Sequence, residues 1–132
     1  MFDITILPVL LISGREQSEL PGLYVAGAPR KAARLRTQDQ LILFMSLANN
    51  SPVKETVYSP AQQQEMLTRL AETFFTTSGS VTAGMRAVVT RLNDFLLSRN
   101  LRAQTESQVT GSLNLAVLHG NTMLLAHAGA TQ

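Results

Sequence analysis

The sequence predicts an α+β protein built in layers, sheet against sheet, with two amphipathic helices outside at least one sheet. Three observations lead there. The C-terminal stretch GSLNLAVLHGNTMLLAHAG reads as a two-stranded hairpin that is apolar on both faces, and an antiparallel hairpin with no polar face has to be covered on both sides. Two segments between residues 60 and 99 carry apolar residues at helical spacing. The first half of the chain is strand-rich. A chain of 132 residues is one domain's worth, enough for a single layered core over residues 1–132.

The elements follow in order. FDITILPVLLI, residues 2–12, is β-rich, and Pro8 argues for an edge position or a bulge. SGREQSE reads as a polar turn, and GLYVAGA as a short strand. After a basic segment comes DQLILFMSLA, residues 39–48, apolar on both faces, and then the turn formers of NNSPVKE.

Ser59-Pro60-Ala61-Gln62 is a capping box with proline at the first helical position: a hydroxyl for orphan N–H groups, and a glutamine three residues on. Behind it Met66, Leu67, Leu70, Ala71 and Phe74 form an apolar stripe, and 76–79 break the helix. A second helix is expected over residues 80–99, with Val81, Met85, Val88, Leu92, Phe95 and Leu96 on one face and Asn100 as the stop. Gly84 inside it costs about 1 kcal/mol in propensity against Ala, so close packing is the expected reason for it. In the final hairpin, Gly120-Asn121 is a two-residue turn that pairs His119 with Thr122, Leu118 with Met123 and Asn114 with His127.

Composition narrows the chemistry. Apolar residues make up 45% and charged residues 15%, so the chain is globular and modest in surface charge. The absence of cysteine excludes disulfides, thiolate metal sites and cysteine nucleophiles, and fits a cytoplasmic setting. The longest apolar run is too short to span a bilayer, and Asp3 sits where a signal peptide carries positive charge, so no membrane role is expected. Net charge is +2. Four basic residues cluster in APRKAARLRTQ: Arg30, Lys31, Arg34 and Arg36. They read either as a solvated connection or as a phosphate-binding patch, and no stacking aromatics accompany them for nucleic acid.

Three short stretches resemble the PPM-type metal-dependent protein serine/threonine phosphatases, over roughly residues 20–132. Arg34-Leu35-Arg36-Thr37-Gln38-Asp39 is similar to the family's Arg-x-x-Asn-Glu/Gln-Asp, whose arginine binds substrate phosphate. Leu47-Ala48-Asn49-Asn50 sits where the family strand ends in Val-Ala-Asp-Gly. Gly111-Ser112 through Gly129-Ala130-Thr131-Gln132 resembles the hairpin that begins Gly-Thr-Thr and ends Gly-Asp-Ser-Arg.

The resemblance implies an α-β-β-α sandwich, antiparallel sheets with two long antiparallel helices, of which this chain would be a part. It also implies a dinuclear Mn or Mg centre at one end of that sandwich, with Arg34 and Arg36 as phosphate-binding candidates and Asp39 and Asn49 as metal-site candidates. Two adjacent divalent ions need several carboxylates. The chain has three aspartates, Asp3, Asp39 and Asp94, and it carries Asn49 and Ala130 at two positions where the family has Asp. The expectation is therefore a degenerate PPM-like domain, or the N-terminal fragment of one, without catalysis or cofactor. It would act as an interaction or regulatory module. The alternative is a Mn- or Mg-dependent phosphatase that takes its missing ligands from a further segment or a second chain.

Other hydrolytic routes find little. A serine-based triad would have to use His119, which flanks a turn and reads as solvated, or His127, paired with Asn114 at the margin of the implied site. No nucleophile elbow, phosphate loop or zinc spacing occurs, so no catalytic residue is assigned. The expected partner is another protein, or a second copy joined through the edge of the C-terminal hairpin.

Overall fold

The structure is a computed structural model, and it describes residues 10–12, 15–17, 22–49, 59–101 and 109–129. Strands β1 (Leu10–Ile12) and β2 (Arg15–Gln17) pair antiparallel as a small sheet of their own. The polar stretch expected to be a turn thus contains a strand: backbone ladder bonds form irrespective of side-chain polarity. Most of the strand expected over residues 2–12 lies outside the described residues.

The main sheet has four antiparallel strands in the order β3 (Leu23–Gly27), β4 (Gln40–Asn49), β5 (Val109–His119), β6 (Thr122–Ala128). A short 3-10 turn, Arg34–Arg36, lies between β3 and β4. Helices α1 (Pro60–Thr76) and α2 (Val81–Asn100) form a helical hairpin between β4 and β5 in the chain. The α+β class with antiparallel sheet and two helices is as expected.

Local chemistry sets the helix starts. Ser59 Oγ accepts from Gln62 N–H at 3.1 Å, and Gln62 Oε1 accepts from Ser59 N–H at 2.8 Å, completing the reciprocal box. Ser80 Oγ accepts from Ala83 N–H in the same way at the head of α2.

The helices cover one face of the sheet. Leu41, Leu43, Met45, Leu113, Leu115 and Val117 point into that face and pack with Leu67, Leu70, Phe74, Phe75, Val88 and Leu92 from the helices. Phe75, outside the expected stripe, is buried, and its ring meets Phe74 edge-on at 5.1 Å between centroids. Gly84 is where close packing requires it. A Cβ there would stand 3.0 Å from both Arg36 Nη2 and Phe74 Cδ2.

The C-terminal hairpin has the expected register throughout, from His119↔Thr122 back through Asn114↔His127 to Leu113↔Ala128. Gly120 takes φ 59°, which the two-residue turn demands. The second sheet face carries Val25, Ile42, Phe44, Ala116, Leu118, Met123 and Leu125, and among the described residues no second sheet lies over it: Val25, Phe44, Met123 and Leu125 are exposed. No helix among the described residues is long and apolar enough to cross a membrane.

Candidate functional site

Strand β4 sets the distance between the two metal-site candidates. Its ten residues at about 3.4 Å each put its two ends roughly 30 Å apart. Asp39 immediately precedes the strand, and Asn49 is its last residue. The two metal-site candidates therefore lie at opposite ends of the sheet and cannot share an ion.

At the Asp39 end, the 3-10 turn abuts the loop between the helices. Arg36 is wholly buried. Its Nη2 donates to the carbonyl of Ser80 at the head of α2, and its guanidinium carbon sits 5.1 Å from the centre of the Phe74 ring. Nε and Nη1 find no partner among the described residues. Arg36 thus points into the core, where incoming phosphate does not reach it, while Arg34 in the same turn is exposed. The four-residue basic cluster is not one patch.

Asp39 is also buried, at 2% exposure. Its Oδ1 lies 2.6 Å from His119 Nδ1, and its N–H donates to Arg36 C=O at 3.0 Å. His119, expected to be merely solvated, instead partners a buried acid. Both residues fall on the helix-covered side of the sheet, at the end of the β4–β5 ladder. No sequence signal marks the pair.

At the opposite end, Asn49 is in register with Val109, and Gly111 with Leu47. Gly129, at φ 110°, lies so close that a Cβ there would stand 2.5 Å from Gly111 O. Two of the three stretches that resemble the phosphatase site thus share this end of the sheet, without an acid among Asn49, Gly111 and Gly129, and the third, Arg34–Asp39, lies at the other end. Ala130 lies outside the described residues. Asn100, the last residue of α2, borders this end: its amide donates to Val109 C=O at 2.9 Å, and its Oδ1 accepts from Val109 N–H at 2.8 Å.

Asn114 and His127 face each other on the open side, with Asn114 Oδ1 accepting from His127 Nδ1–H at 2.7 Å. Both are exposed. Among the described residues no serine or carboxylate is bonded to His127. They line a depression of about 370 Å³ with Ile42, Phe44 and Leu125.

A second depression, of about 620 Å³, lies against the helices and is lined by Lys31, Arg69 and Arg91 together with Glu72, Thr73 and Thr76. Arg69 is bonded to Glu65 at 2.7 Å, and Arg91 stacks on Phe95 at 4.7 Å. Lys31 alone of the expected cluster faces these cations, an arrangement that sequence spacing does not reveal.

The described residues do not bring together the carboxylates of a dinuclear Mn or Mg centre. Asp39 is committed to His119, Asn49 is a strand's length away, and among the described residues no three of His, Asp and Glu come together. Compared with known proteins, the chain matches no family model, no curated protein and no solved structure.

Proposed function

We propose that the chain is a degenerate PPM phosphatase-like module, a sandwich half that works by interaction or regulation and not by hydrolysis. One observation carries this reading. Asn49, Gly111 and Gly129, from two of the three stretches that resemble the family's motifs, share one end of the sheet, and position 49 is an asparagine where the family carries its bridging Asp. The order of parts supports it too, a strand pair, a helical hairpin and a closing β-hairpin. Strand β6 is an outer strand of the sheet with no strand beside its outer edge among the described residues, and that edge is the one we assign to pairing with a protein partner or a second copy.

The test is the melting temperature in EDTA and then in millimolar Mn²⁺. A bound ion at about 100 times its dissociation constant stabilises a fold by roughly 2.7 kcal/mol. The module reading expects no shift, and no release of phosphate from a phosphopeptide. A clear shift accompanied by turnover would return the metal-dependent phosphatase alternative.

A further inference from the structure

We infer that the open face of the four-stranded sheet is a sheet-on-sheet interface, and that its occupant is a second copy of this chain. This goes beyond the proposed function and does not depend on it.

The face carries exposed apolar side chains beside the exposed neutral Ser46, Thr110 and Asn114 and His127. Val25 is 45% exposed, Phe44 36%, Met123 59% and Leu125 73%, with Ile42 and Leu118 between them. Side chains of this kind on adjacent strands form one continuous patch, because the register aligns Val25 with Ile42 and Leu118 with Met123. Contiguous apolar patches of this kind mark interaction surfaces.

Charge decides the kind of occupant. Of the residues that the register sets on this face across all four strands, none is Asp, Glu, Lys or Arg. The polar members are neutral side chains and His127. A charged or phosphorylated partner would find nothing to complement. An identical uncharged sheet meets no like-charge repulsion, and self-complementary two-fold pairing is the commonest route to a dimer.

Size agrees. Four strands at about 4.8 Å spacing and roughly 25 Å of strand length give a flat footprint of about 500 Å² on each copy. The pair then buries about 1,000 Å² before side-chain relief is added, the threshold for a specific interface. Two such sheets stack about 10 Å apart, their inner side chains interdigitating. The depression beside Phe44 and Leu125 offers relief for a side chain of the opposing copy.

Sedimentation of the full chain from micromolar to several hundred micromolar tests this, with Val25→Lys and Leu125→Lys in parallel. Both side chains point away from the helices, so circular dichroism and melting temperature should report intact folds. The expected result is a dimer whose dissociation constant rises at least tenfold in each variant. Val25 is on β3, three strands from the β6 edge, so its effect separates face pairing from edge pairing. A monomer at all concentrations overturns the proposal. So does a dimer that Val25→Lys leaves unchanged.

Discussion

His119 Nδ1 lies 2.6 Å from Asp39 Oδ1, joining residues eighty positions apart at the end of the central ladder. The carboxylate is buried, and its other oxygen has no partner among the described residues. His119→Ala therefore strands a buried acid and should cost about 1–3 kcal/mol in urea unfolding. Adding Asp39→Asn should recover part of that loss. A double-mutant cycle should return a coupling of about 0.5–3 kcal/mol, and additive losses would disprove the link.

Arg34 and Arg36 share one short turn yet should behave oppositely. Arg36→Ala empties a core position against Phe74 and Gly84 and should cost about 2–5 kcal/mol. Arg34→Ala removes an exposed side chain and should stay within about 0.5 kcal/mol of the parent. Equal effects in thermal melts would contradict the burial.

Gly84→Val should destabilise by about 1–3 kcal/mol. The added atoms drive into the Arg36 guanidinium and the Phe74 ring, although valine alone would improve helix propensity. A stabilised variant would mean that α2 stands further from the 3-10 turn.

Ser59→Ala should cost about 1 kcal/mol, measured by denaturant midpoint. Gln62→Ala should give a smaller loss, since it removes one bond of the box and leaves the serine cap in place.

What the sequence revealed was local. The capping box, the Gly120-Asn121 turn and the register it fixes depend on residues a few positions apart, and each emerges in the structure. The glycine in α2 was legible as a packing position, but its neighbour was not. Arg36 sits against Ser80 forty-four residues on, and a buried arginine defies the usual preference of charge for water. Strand β2, Arg-Glu-Gln, carries no apolar alternation and so reads as a turn. The candidate site failed in a similar way: Arg34, Asp39 and Asn49 are close in sequence, but an intervening straight strand carries Asn49 to the far end of the sheet. Short motifs record order along the chain and not the length of the strand between them.

The central ladder from Asn49↔Val109 to Gln40↔Leu118 joins strands between which the chain makes its whole helical excursion. Folding speed follows from that. The helical hairpin and the β5–β6 hairpin can each close through nearby residues, on microsecond timescales. Closing the β4–β5 ladder has to bring together strands separated by everything from residue 50 to residue 108, the helical hairpin included, and is expected to be the slower step. A slow phase of refolding is expected from that docking, and Asn100→Ala, which removes both bonds tying the start of β5 to the helix end, should lengthen it in stopped-flow refolding.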